Sequence, residues 1–371
     1  MSDKASISIQ VDNPERVYRG GETVSGEVTI EPHAQMDCRG VIVTFGWKTH
    51  GKGNSAGQTL AEESVYSGML AAGRPYRFPF AFTVPNGPAT HHGHYLSVDW
   101  YIEARIDLAW RFDPKESIDV VVEPDPEQPY NTNRETRVRQ PPTQARSGWV
   151  VGCSLLFFAP FLLAGMGVLI GGLMSGQLSM VLFGLVFAAL PTFMLVQQFR
   201  NRIAKKKVGD VSLSLDPESV APGQTMAANL TYAPKGDVLL NKVSCRFFGR
   251  ERVVRGSGTN KRTYTHELHS ETFELDPGGR RLQPDTPMRQ TLQIRVPEDA
   301  PFSFEAPANH IEWGLEVHLD IPKWPDYKRI FPVWVTPGAA CRVAPEENAA
   351  SENAVSTNSG AKPPQPSLPW S

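Results

Sequence analysis

Three histidines stand almost side by side at His91, His92 and His94, and a second group, His266-Glu267-Leu268-His269, lies further along the chain. Imidazole is the commonest transition-metal ligand and a proton carrier near neutral pH, so both groups are places to look for chemistry. Neither has the required arrangement. A zinc-protease helix sets its imidazoles four residues apart on one face, as H-E-x-x-H; here the spacing is shorter, and the neighbouring Thr263, Tyr264 and Thr265 read as strand. The first cluster sits between two strongly alternating segments, with no cysteine or carboxylate at ligand spacing, and reads as a solvated loop. Gly51-Lys52-Gly53-Asn54-Ser55-Ala56 spells a loose dinucleotide fingerprint without the strand–helix context that would give it meaning, and reads as a hairpin loop. There is no Walker loop, G-x-S-x-G elbow or Cys/His nucleophile arrangement. Glu103 and Asp107 share the polar face of one strand, which points to a structural or interface role. The four cysteines, Cys38, Cys153, Cys245 and Cys341, contain no CxxC spacing and suggest neither a disulfide framework nor a zinc site. No catalytic residue, cofactor or metal is expected, and the chain does not read as an enzyme.

The most unusual stretch runs from Ser147 to Phe199 and contains no Asp, Glu, Lys, Arg or His. A membrane-spanning helix takes about 20 mostly apolar residues, so the run holds two. The polar break Ser175-Gly176-Gln177 divides it into a hairpin over residues 148–199, out through Trp149–Met174 and back through Leu178–Phe199. Basic residues flank it on both sides: Arg134, Arg137, Arg139 and Arg146 before, Arg200, Arg202, Lys205, Lys206 and Lys207 after. Lys and Arg near a span are held on the cytoplasmic side, which places both soluble parts in the cytoplasm and the basic flanks against lipid head groups. The glycines of the hairpin, Gly148 with Gly152, Gly167 with Gly171 and Gly172 with Gly176, let helices approach closely. They suit packing of the two spans against each other and self-association equally. Pro160 and Pro191 are expected to kink the spans.

The segments around the hairpin alternate with the period of strands. Ile7, Ile9 and Val11 begin the pattern; Tyr76, Phe78, Phe80 and Phe82 continue it; Leu96, Val98, Trp100, Ile102, Ala104, Ile106 and Leu108 are its clearest case. Turn residues such as Pro85-Asn86-Gly87-Pro88 separate the runs. Many strands with turns at this spacing indicate a β-sandwich. The two soluble parts also repeat one another: Val98–Val122 lines up without a gap on Ile311–Val335, with Trp100 on Trp313, Glu103 on Glu316 and Asp107 on Asp320. Gly21-Glu22-Thr23 matches Gly223-Gln224-Thr225, and the glycine turns Gly51-Lys52-Gly53 and Gly256-Ser257-Gly258 correspond. The expected organisation is a sandwich over 1–124, a Pro-rich basic linker over 125–147, the hairpin, a basic juxtamembrane segment over 200–209, a second sandwich over 210–342 and a disordered tail over 343–371.

Asn13, Gly21, Glu22, Val24 and Gly26, followed by RGVIVTFGW and by the strand carrying Gly93, Tyr95, Val98, Trp100, Ile102 and Ala104, make the first copy resemble the arrestin family. The second copy is similar more weakly, mainly through Val296-Pro297 and Trp313. The resemblance implies two immunoglobulin-like, arrestin-type β-sandwiches in an all-β fold and a non-catalytic adaptor role. A membrane hairpin stands where the family has a short link, and the tail carries Pro363-Pro364 without a P-P-x-Y sequence. The formal net charge of −2 argues against a nucleic-acid binder. The expected partners are the lipid bilayer and another protein at the cytoplasmic face, with self-association as a further route. The alternative expectation is a structural organiser of a membrane complex or lipid patch, acting through the hairpin.

Overall fold

The structure is a computed structural model describing residues 4–108, 113–131 and 148–338, with side chains except at 148–156, 194–207 and 280. Successive side chains leave a strand on opposite faces, and the alternating segments do form strands. The first part contains β1 (Ala5–Val11), β2 (Val17–Arg19), β3 (Thr23–Pro32), β4 (Met36–Gly51), β5 (Gly57–Leu70), β6 (Tyr76–Thr83), β7 (His91–His92), β8 (Leu96–Leu108) and β9 (Lys115–Glu123). Two helices follow, α1 (Gly148–Ser175) and α2 (Leu178–Val208). Then come β10 (Val211–Asp216), β11 (Ser219–Val220), β12 (Thr225–Tyr232), β13 (Val238–Leu240), β14 (Lys242–Arg255) and β15 (Arg262–Asp276). The chain closes with β16 (Arg280–Leu282), β17 (Met288–Arg295), β18 (Phe304–Ala306), β19 (Asn309–Asp320) and β20 (Tyr327–Val335).

The internal repeat extends to topology. In the first copy, the sheet β1-β3-β6 accompanies a sheet β2-β9-β8-β4-β5, with β7 added on β8. In the second, β10-β12-β17 accompanies β11-β20-β19-β14-β15, with β18 added on β19. The small pair β13-β16 has no counterpart in the first copy. Every apolar position of the β8 stripe is buried, Trp100 completely. Phe45 stacks between Phe82 and Trp100 at 5.7 and 5.1 Å, and Phe247 stacks on Trp313 at 5.4 Å.

A buried indole N–H has to find an acceptor, and both copies solve this identically. Trp100 Nε1 donates to Pro88 O at 2.8 Å, and Trp313 Nε1 to Pro301 O at 2.9 Å. Beside them Val122 N donates to Thr90 Oγ1 and Val335 N to Ser303 Oγ, each at 2.9 Å. The correspondence read from sequence is thus one of hydrogen bonds as well as of residues.

Two expectations change. The stretch expected as linker begins strapped to the first sandwich, where Asn86 Nδ2 donates to Asp125 O and Gln128 O, both at 3.0 Å, and it touches the second, where Tyr130 packs on Phe302 at 5.6 Å. The two N–H groups of the buried Asn86 amide are shared among three carbonyls, the third being Pro129 O at 3.2 Å, and its Oδ1 accepts from Asp125 N at 2.6 Å. Residues 132–147, with Arg139 and Arg146, and the tail expected over 343–371 lie outside the described residues. The two expected spans correspond to two antiparallel helices. Among the described residues, only Phe157–Ser175 is long and apolar enough to cross a membrane, by length and composition; the apolar stretch Leu178–Phe193 is shorter.

Because the Trp donors are equivalent, Trp100→Phe and Trp313→Phe should each lower stability by about 1–3 kcal/mol through an orphaned proline carbonyl. Denaturant unfolding of the two variants measures it; a loss in one copy only would show that the shared hydrogen bond does not carry shared energy.

Candidate functional site at the seam

The two sandwiches meet where the β7–β8 turn and the β4–β5 hairpin of the first reach β14, β15 and β19 of the second, and the polar side chains of Thr49, Glu251 and Asn309 are buried there. Glu251 is 0% exposed. It sits on β14, while its partners come from the β7–β8 turn of the other sandwich. His94 N donates to its Oε1 at 3.1 Å, Tyr95 N donates to its Oε2 at 2.7 Å, and His91 Nε2 faces Oε1 at 3.3 Å. The turn comes so close that a Cβ at Gly93 would collide with the Glu251 carboxylate and lie 2.6 Å from His91 Nε2. Burial alone would raise the Glu251 carboxyl, but the hydrogen bonds from His91 and from the Tyr95 and His94 backbone hold it below the usual glutamate value.

A second set of bonds crosses the seam in both directions. The tip of the β4–β5 hairpin reaches the second sandwich, where Asn54 N donates to Val254 O at 2.9 Å and Asn54 Nδ2 to Gly256 O at 3.1 Å. Gly256 N donates back to Asn54 Oδ1 at 2.9 Å. Asn309 Nδ2 donates to Asn54 O at 2.7 Å and to Thr49 Oγ1 at 3.0 Å. Aromatic contacts complete the seam: Trp47 meets Phe304 edge-on at 5.7 Å, and His94 stacks on His266 at 4.3 Å. Next to it lies a cleft of about 360 Å³, lined by His91, Glu123 and Tyr130 from one side and Phe302 and Phe304 from the other.

The histidine cluster therefore disperses. His91 turns to Glu251, His94 to His266, and His92 to Asp99, whose other oxygen meets His50 Nδ1 at 2.6 Å. Among the described residues no group of three or more His, Cys, Asp or Glu side chains is arranged to hold a metal ion. His266-Glu267-Leu268-His269 lies in strand β15. The glycine turn at Gly51 is a hairpin tip, and both glycine turns lie at the seam. Glu103 and its repeat Glu316 pair with Lys115 at 2.9 Å and Arg246 at 3.1 Å, which fits a structural role.

On the outer face of the second sandwich, Arg250 and Arg252 each meet one oxygen of Glu312, at 2.9 and 2.6 Å. Burial would raise that carboxyl, but the two guanidinium groups hold it low. His310 beside them is pushed down to about 4 by burial and by Arg252.

In the helices, Gly172 faces α2: a Cβ there would lie 2.7 Å from Val181 N. Gly165 and Gly184, which no G-x-x-x-G spacing marked, are the other contact points, the first against Ala188 and Phe187, the second against Leu169. Gly167, Gly171 and Gly176 have nothing within 4 Å of such a Cβ. Gly167 and Gly171 sit off the helix–helix contact because positions two or six residues from Gly165 fall on other faces of a helix with 3.6 residues per turn, and Gly176 lies in the turn just past the end of α1. Arg200, Arg202, Lys205, Lys206 and Lys207 occupy the last turns of α2. Large apolar side chains of both helices point outward, among them Leu163 at 70% exposure and Leu178 at 72%.

The family model described as arrestin (or S-antigen), N-terminal domain, matches residues 7–68, which run from β1 into β5. The resemblance to arrestins is thus shown over that part of the first sandwich. Among solved structures the chain is similar to Spo0M, the sporulation control protein of Bacillus subtilis, at 10% identity and a TM-score of 0.29, covering 89% of this chain and 91% of that one. No curated protein matches the chain.

Acid should act in two stages. A histidine whose value is depressed when folded lends stability that is complete above its unfolded value, 6.5, and erodes as pH falls toward about 4. A carboxyl held below 4.5 lends stability present above that value and lost as pH falls through its folded value. His310→Gln should therefore abolish the stability loss between pH 6.5 and 4 in thermal melts, while the loss at lower pH persists. Glu251→Ala should cost about 1–3 kcal/mol or more by stranding two backbone donors, and should raise hydrogen exchange at His94 and Tyr95 selectively.

Proposed function

We propose that the protein is a membrane-anchored, non-catalytic arrestin-like scaffold that holds another protein at the cytoplasmic membrane face. The observation that carries this reading is the outward apolar surface of α1 and α2. A contiguous apolar surface of that extent has to be covered, and a bilayer covers a helix without requiring any polar face. The arrestin-type first sandwich supports the adaptor part, since the arrestin resemblance implies binding rather than turnover. Strands β5 and β15 each end their sheet, and an extended peptide can add to such an edge through main-chain hydrogen bonds. Anchoring confines the search for a membrane partner to two dimensions and raises its effective concentration.

Full-length protein should stay in the membrane fraction through alkaline carbonate, with a cysteine placed at Gln177 reached by reagents only from the non-cytoplasmic side. Gentle crosslinking should recover a stoichiometric partner with the full chain but not with α1 and α2 alone. Recovery of the same partner by the helices alone would sink the adaptor part.

A second reading, a structural organiser acting through the helices, is favoured by Gly167 and Gly171, which share a face of α1 turned away from α2. It predicts that Gly167→Leu with Gly171→Leu lowers self-association in bilayers while the helix pair stays intact. Gly184→Leu, placed against Leu169, should instead separate the helices. Unchanged association in the first variant removes this reading.

A further inference from the structure

Helix α2 does not end in a tether. It runs to Val208, which is buried, and Gly209 then takes a φ of 77° before the chain enters β10 at Val211. A left-handed residue just past the last turn is a common helix stop, and glycine adopts it without a side-chain penalty. The junction is clamped. Gly209 lies against Ala233 and Lys235, Arg329 Nη1 donates to Val211 O at 3.2 Å, and α2 packs on β20. From Arg200, where the apolar run ends, to Val208 is about 12 Å of helix. The end of the second sandwich from which α2 emerges is therefore fixed close to the surface that limits the apolar run.

That end gathers the 233–237 loop, the β13–β16 pair and the 321–326 turn. Asn241 N donates to Asp320 O at 3.0 Å, Gly279 N to Leu240 O at 2.9 Å and Asp285 N to Pro234 O at 2.8 Å. Two large apolar side chains lie on its outside, Leu239 at 44% exposure and Trp324 at 43%. Leu239 belongs to β13, half of the one strand pair the first sandwich lacks, so the element that breaks the repeat stands where the helix enters. Lys235, Arg281, Lys323 and Lys328 are exposed around it. Of the carboxylates at the same end, Asp320 accepts from Asn241, Asp326 meets His318 at 3.2 Å and Asp276 accepts from Gly278 N; Asp210, Asp237 and Asp285 are exposed.

We propose that this end of the second sandwich is a lipid-contacting surface, seated in the head-group layer with Trp324 and Leu239 as its anchors. The inference rests on the membrane reading above. An indole favours that layer because its ring is apolar and its N–H polar. The exposed lysines and Arg281 meet lipid phosphates there. The second sandwich is thereby held at a set orientation to the membrane instead of swinging beneath it.

The test uses the full chain with Cys153→Ala and Cys341→Ala; Cys38 and Cys245 are buried. Trp324→Cys carries an environment-sensitive fluorophore, and the protein is placed in nanodiscs of phosphatidylcholine and phosphatidylglycerol. Met69→Cys, 50% exposed on the first sandwich, is the control. Emission from position 324 should shift to the blue of position 69 and be quenched several-fold more by lipid spin-labelled at the head group. Water-like emission at 324, or a blue shift without lipid quenching, overturns the proposal. Extraction of the same protein by carbonate overturns the membrane reading beneath it, so the two failures are distinguishable.

Discussion

A carboxylate shut away from water must be met by donors at close range, because its lost hydration is otherwise uncompensated. Glu251 meets that demand only by reaching the β7–β8 turn of the other sandwich. Neither sandwich satisfies this group alone, so the pair is held in one arrangement by an electrostatic requirement as well as by apolar contact. The closeness of the turn, which leaves no room for a side chain at Gly93, follows from the same requirement. So does the dispersal of the three histidines, since the turn that presents its N–H groups to Glu251 sends His91 and His92 to opposite sides.

The repeat makes the seam nearly symmetric in backbone and asymmetric in chemistry. Thr49 pairs with Val98 in one copy, and Glu251 with Ile311 in the other; Val98 and Ile311 are equivalent, so Thr49 and Glu251 occupy the same position. Each faces the opposite sandwich and accepts hydrogen bonds from it. One is a hydroxyl and the other a carboxylate, so a single substitution of type turns a mild contact into a binding obligation. The copies are alike where strands pack and differ where they meet each other.

Much of this was legible in the sequence. Period-2 alternation marks strands directly, which is why the β8 stripe and the order of both sandwiches could be anticipated, and why His266–His269 read as strand. The Glu251 network left no comparable signal: the inward period of β14 runs through Cys245, Phe247 and Gly249 to Glu251 and Val253, but nothing local says which distant groups meet a carboxylate there. Asp125–Asn131 read as free linker because prolines and polar residues carry no periodicity, yet the Asn86 amide binds their carbonyls. The helix contacts follow a spacing that the four-residue glycine rule does not select. Gly165 and Gly172 are seven apart and so share a face, whereas the four-residue spacing drew attention to Gly167 and Gly171.

The chain passes from one sandwich to the other through two antiparallel helices, and this shapes the entropy of assembly. A flexible insertion of the same length would add to the cost of bringing the seam together, although that cost grows only slowly with loop length. A helical pair that doubles back returns the chain near its starting point, so the insertion behaves as a short crossing, whatever its contour length. The seam can then close almost as if the helices were absent, and if it opens the sandwiches stay within reach of each other.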